Sequence, residues 1–374
     1  MPKLNGTLWE GVGVTTDKIQ PHILNILQTV TKRNREYLKD YYQPNNCFVQ
    51  SFGNIDSTVK GCAVLLQDGR VFILASNGTT AYLFNPKTNT VSTAGGSYPG
   101  SGAFQSGVLL KDGRIFLVPE NSTTARIYDP ITNTTTTPNG TYPGGDAYRT
   151  SVLLLDGRVF MIPLKTTQAA IYDPVINNKT NPIGWTGGSG YYGGVLLPDG
   201  RVFCVPGGAT SAKIYDPILD QTITPTGWTA GGGYTGGCLL ADGRVFCTPS
   251  SAGKSAVIYD PINNQTTTIS ALTSSQNNGY RGCCLLPNGN VLVVPVLDAI
   301  PKIYDPYNNT VTSPPINLGS GYYFESALVL MDGRVLLQPI VATSVTIIDG
   351  MWSSPSNPYQ FPPQVLLSGF LNKF

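Results

Sequence analysis

The sequence predicts an all-β fold, a seven-bladed β-propeller of four-stranded antiparallel blades. Three observations point to it. An apolar-apolar-x-Asp-Gly-Arg-apolar-apolar corner recurs at Asp68, Asp112, Asp156, Asp199, Asp242, Asn288 and Asp332, at spacings of 44, 44, 43, 43, 46 and 44 residues. A second signature, aromatic-Asp-Pro or a variant of it, follows each corner by 17 or 18 residues, from Phe84-Asn85-Pro86 and Tyr128-Asp129-Pro130 through to a decayed Ile348-Asp349-Gly350. Each interval of roughly 44 residues holds four short strands, which is the size of one propeller blade.

The unit from blade three shows how each element is specified. Val152 to Leu155 is a short apolar strand that meets Asp156-Gly157, the strongest short-range signal for a hairpin. Arg158 to Ile162 forms the second strand, and Ala169 to Tyr172 the third. Asp173-Pro174 stops the third strand, and a Thr/Asn-rich segment supplies a weaker fourth. Closing seven such sheets into a ring removes most exposed edges.

Over residues 61 to about 350 the repeat resembles the kelch motif, on the strength of the Asp-Gly-Arg-Val-Phe hairpin and the Tyr-Asp-Pro turn. It departs from that motif after the second strand, where only Gly207-Gly208 keeps a glycine pair. The resemblance implies a propeller, a fold that hosts many unrelated functions.

Alignment on the corner separates scaffold from candidate function. Arg70, Arg114, Arg158, Arg201, Arg244 and Arg334 follow the corner glycine; repetition in every blade marks them as scaffold, expected to pair with the Asp of the third-strand turn. Cys204, Cys247, Cys238 and Cys284 take strand positions held in other blades by Val, Ile, Leu or Met, so they read as small core residues without metal or redox spacing. Eight residues before the corner an aromatic recurs, including Tyr148, Tyr191 and Tyr234. It reads either as packing between blades or as an aromatic ring for stacking on sugars. The next position varies: Gln105, Arg149, Tyr192, Thr235, Arg281 and Glu325 in blades two to seven. A scaffold position repeats and a recognition position differs, so these six are the leading candidates for ligand contact at one mouth of the channel. Trp185 and Trp228, in parallel Gly-Trp-Thr loops, come second.

Charged residues make up 12% of the chain, the net charge is +2, and no basic run occurs, so no nucleic-acid track is expected. No apolar stretch is long enough for a transmembrane helix, and Met1 to Val14 shows no signal-peptide pattern. The one histidine, His22, precedes the repeats; a two-histidine copper site of galactose oxidase type is therefore excluded. Acids outside the repeated positions are few: Glu120, Asp146, Asp220, Asp298 and Glu325. The chain accordingly reads as non-enzymatic, without cofactor or metal.

The ends differ from the ring. Three regions are expected: 1–45, carrying a helix over 16–42; the propeller, 46–350; and a Pro-rich tail, 351–374. Ile23, Leu27, Val30, Tyr37 and Tyr41 follow a 4-3 apolar pattern, which suits either a short coiled coil or a helix lying on the propeller. Cys47 to Ser51 is placed to add a strand to the last blade. The expected function is a recognition or structural module in a larger assembly, with protein partners and a homo-oligomer held through 16–42. The Thr/Asn/Gly-rich surface and closely similar repeats resemble surface or attachment components of virus and phage particles. The alternatives are a glycan-binding propeller and a hydrolase or lyase.

Overall fold

The structure is a computed structural model that describes residues 46–351, apart from 56–61, 75–76, 298–299, 319–323 and 340–342. The expected helix over 16–42 and the tail beyond Met351 lie outside the described residues.

Seven four-stranded antiparallel sheets follow one another along the chain. The chain is a seven-bladed β-propeller. In blade three the strands are Tyr148–Leu153, Val159–Pro163, Ala170–Asp173 and Asn178–Thr180, hydrogen-bonded in chain order. The first strand thus begins four residues earlier than the apolar run alone indicates, because its inner half is built of small and polar residues.

The seventh blade is built from both ends of the described chain. Phe48–Phe52 pairs antiparallel with Val345–Asp349, with Phe48 opposite Asp349 and Phe52 opposite Val345. The sequence places this strand at Cys47 to Ser51, one residue earlier than the structure does.

Each hydrophobic cluster lies between two blades, and seven clusters complete the circuit. The last joins Leu336, Val345 and Ile347 of blade seven to Leu65, Val71 and Phe84 of blade one. The repeat residues explain the joint. The second-strand Phe of one blade stacks on the third-strand Tyr of the next: Phe72 on Tyr128 at 4.6 Å, Phe116 on Tyr172 at 4.6 Å, Phe160 on Tyr215 at 4.5 Å, Phe203 on Tyr259 at 5.0 Å. Such pairs contribute about 0.5–1.5 kcal/mol beyond their buried area. Each of these four phenols keeps a partner, as Tyr172 donates to Asn177 Oδ1 and Tyr215 to Asp220 Oδ1. Asn177 and Asp220 sit at φ 51° and 48°, in the left-handed region that Asn and Asp tolerate best.

The corner arginines do not pair with the third-strand Asp as expected. Each pairs with the Asp of its own corner two residues back, as in Arg70–Asp68 at 2.7 Å, Arg114–Asp112 at 2.6 Å and Arg334–Asp332 at 2.7 Å. A two-residue turn brings these side chains together before the strand can present the arginine to its neighbour. The reach to the next blade goes to other oxygens instead: Arg158 donates to Pro217 O, and Arg334 to Pro86 O and Asn89 Oδ1.

The seven cysteines are thiols, not disulfides, and all but Cys283 are buried. Burial pushes the Cys62 thiol up to about 12. No helix among the described residues is long and apolar enough to cross a membrane.

Candidate functional site at the channel mouth

The first strand of each blade starts at one mouth of the ring and ends at its Asp-Gly corner on the opposite face. At the start of that strand the ladder is irregular. Tyr148 pairs with Pro163, but Thr150 pairs with Ile162, so Arg149 is an extra residue bulged out of the ladder. The same skip isolates Gln105, Tyr192, Thr235 and Glu325. In blade six it takes in both Arg281 and Gly282. A bulge re-aims its side chain and frees it from ladder geometry. The six variable positions are therefore the bulge residues of six blades.

Four of the six come together. Arg149 of blade three reaches Glu325 of blade seven, and Arg281 of blade six reaches the other oxygen of the same carboxylate at 2.5 Å. The Arg149 guanidinium also lies over the Tyr192 ring, 4.9 Å from its centroid, a cation–π contact. The Glu325 and Arg149 side chains are only 15% and 13% exposed. Burial pushes the Glu325 carboxyl up, but the charges of Arg149 and Arg281 and the hydrogen bonds they donate outweigh it and hold the group below its ordinary value of 4.5. Two guanidiniums against one carboxylate leave a positive excess, and the buried Arg281 Nε–H has no acceptor among the described residues.

The other two variable residues have structural partners. Thr235 Oγ1 donates to the Arg281 carbonyl at 2.8 Å, tying blade five to blade six. The Gln105 amide nitrogen, in the orientation that satisfies both groups, donates to the Glu120 carboxylate. Glu120 follows the second strand of blade two and is buried. Nearby, Lys165 pairs with Asp146 and lies within electrostatic reach of Tyr192 and Glu120. Three acids that depart from the repeat, Glu120, Asp146 and Glu325, thus collect at one mouth. Asp220 does not; it serves the Tyr215 turn. Glu120, Asp146 and Lys165 were not among the expected contact residues, although departure from the repeat was the signal that marks them.

The aromatic candidates are corrected. Tyr148, Tyr191 and Tyr234 are 1–2% exposed and pack between blades. Trp185 and Trp228 are likewise buried; each packs edge-on against the neighbouring Tyr191 or Tyr234, and the indole N–H groups donate to Gly188 O and Gly231 O. No ring face among these five is open for a sugar, because the loop before each first strand folds its Trp or Tyr back onto the core.

Among the described residues no grouping of His, Cys, Asp and Glu is arranged to hold a metal ion.

No protein-family model and no curated protein matches this chain. Solved structures do. Virginiamycin B lyase from Staphylococcus aureus is 10% identical, with TM-score 0.66 over 81% of this chain and 99% of that one. A fungal alcohol oxidase of the AA5 family, in complex with copper, is 15% identical, with TM-score 0.61 over 82% and 76%. The extracellular domain of a hybrid two component system from B. thetaiotaomicron is 9% identical, with TM-score 0.63 over 84% and 42%. At these identities the likeness is one of fold. It nonetheless overturns the non-enzymatic reading: scarcity of reactive groups was the ground for it, and this fold carries lyase and oxidase activities in proteins of similar shape.

Proposed function

We propose that the channel mouth binds a small carboxylate-bearing molecule and that the chain acts on it as a lyase or hydrolase. The observation that carries this reading is the positive excess around Glu325, where Arg149 and Arg281 converge and the Arg281 Nε–H lacks an acceptor among the described residues. Arg guanidiniums suit planar recognition of carboxylates. Arg149 and Arg281 are the proposed anion receptors, with Glu325 and Tyr192 holding them in place. Proton transfer needs a further group. A variant of the S. aureus lyase with one histidine replaced by alanine is described as catalytically inactive, whereas residues 46–351 here contain no histidine. The proposed base is therefore Glu120, buried beside Gln105 and close to Lys165.

A panel of uronates, carboxylated peptides and lactones tests the reading by calorimetry and by product mass. Elimination leaves products that sum to the substrate, and hydrolysis adds one water. Glu120→Gln is expected to abolish turnover while binding persists, and Arg149→Ala to weaken binding. Binding by no member of the panel, or binding indifferent to Arg149, sinks the proposal. The Asp-Gly-Arg and Tyr-Asp-Pro corners support a kelch-like assignment of the repeat. A role on a virus or phage particle gains no support from the fold likenesses, which are to a lyase, an oxidase and the extracellular domain of a two component system.

A further inference from the structure

The face opposite the mouth carries a feature the fold does not need. The third strand of each blade runs toward that face and ends in the Asp-Pro turn. The residue after the proline is apolar and exposed in five consecutive blades: Ile131 at 89%, Val175 at 89%, Ile218 at 64%, Ile262 at 64% and Tyr307 at 81%. Leu219 adds a second in blade four, at 62%. At the four aliphatic positions the turn takes a hydrogen bond from the backbone, as in Ile131 N–H donating to Asp129 Oδ1 at 2.8 Å. A polar side chain would serve it equally well. Single exposed apolar residues need no explanation, but a five-blade collar marks a covered surface.

The collar is interrupted where the chain enters. Blade one has Asn85-Pro86-Lys87 at this turn, and in blade seven Phe48 pairs with Asp349. Phe48 is itself 46% exposed. The described chain therefore begins on the collar face, at the gap in the collar. Segment 16–42 has the 4-3 apolar pattern, with five basic residues against three acidic. The collar turns each carry an acid, and Asp129, Asp173, Asp216 and Asp260 cap backbone N–H groups there. The described chain also ends on that face, at Met351, but Lys373 is the only charged side chain beyond it.

We propose that residues 16–42 of this chain dock on the apolar collar formed by the Asp-Pro turns of blades two to six. The site is on the face opposite the mouth, so it stands or falls apart from the proposed activity. Limited trypsin digestion of the full chain reads it through cleavage at Lys32, Arg33 and Arg35. The triple variant Ile218→Ser, Leu219→Ser, Ile262→Ser is compared with native protein and with Leu297→Ser, an exposed change at the mouth face. Native protein and the mouth-face control are expected to be cut about tenfold more slowly than the collar variant, since cleavage follows the population of the undocked segment. Sedimentation and thermal melting check that the variant stays folded. Equal cleavage of all three proteins overturns the proposal. So does protection that appears only at concentrations where the chain sediments as a dimer, which would assign the segment to a second copy.

Discussion

Arg149 and Glu325 form an ion pair across the mouth, although one belongs to the third blade and the other to the seventh. Those blades are not neighbours in the ring. The pair, with Arg281, links non-adjacent parts of the propeller at its narrow centre.

Removing the carboxylate leaves two buried guanidiniums facing each other. Glu325→Gln is expected to lower stability by about 3 kcal/mol, the usual cost of breaking a mostly buried pair. Replacing Arg149, Arg281 and Glu325 together by Met, Met and Leu is expected to restore most of it. Urea unfolding of native protein and the two variants checks both.

The same group sets a pH dependence. Its folded-state value lies below 4.5, so its stabilisation is fully present above about pH 4.5 and is lost as pH falls through the folded value. The stability gap between native protein and Glu325→Gln is expected to be constant above that pH and to close in acid. A gap that stays as wide at the acid limit of the folded state as at neutral pH would assign it to packing instead.

Gly282 couples packing to the site. A Cβ there would come within 2.6 Å of Glu325 O and of Ser326 Cα. Gly282→Ala is expected to push the first strands of blades six and seven apart, at about 1–3 kcal/mol. Because Arg281 and Glu325 flank the contact, ligand affinity at the mouth should fall with it, and calorimetry reads the change.

Trp185 is expected to behave as core. Trp185→Ala should cost about 3–5 kcal/mol without changing ligand affinity in the folded protein. Loss of binding in a variant that still melts cooperatively would restore the indole to the site.

Burial also predicts thiol behaviour. Cys47 and Cys62 are pushed up to about 11 and about 12 by desolvation, so their reactive thiolate forms are scarce at neutral pH. A maleimide is expected to label at most Cys283 in the native protein and all seven thiols in denaturant.

Much of this architecture was legible because a propeller writes each blade separately. Asp-Gly fixed the hairpins, and Tyr-Asp-Pro fixed the third-strand turns; the stacking of each second-strand Phe on the third-strand Tyr of the next blade emerged only with the structure. The variable residue at the start of the first strand stood out for the same reason. What the sequence concealed was the bulge. It separates Tyr148, locked into the core, from Arg149, turned to the mouth, although the two are adjacent. The pairing of Glu120 with Gln105 was concealed too, because Glu120 follows a second strand and approaches Gln105 only once the hairpin forms.

The pairing of Phe48 with Asp349 has a kinetic meaning. The seam joins opposite ends of the described chain, so it closes only after almost the whole ring has been synthesised. Until then blade seven lacks its outer strand and blade one has no neighbour on one side. Such long-range closure is slow, and an open strand edge in the meantime invites pairing with other chains. Folding of the nascent chain is expected to be limited by this last step. Moving the seam by circular permutation, with the new ends in a corner of another blade, should change the folding rate far more than the final stability.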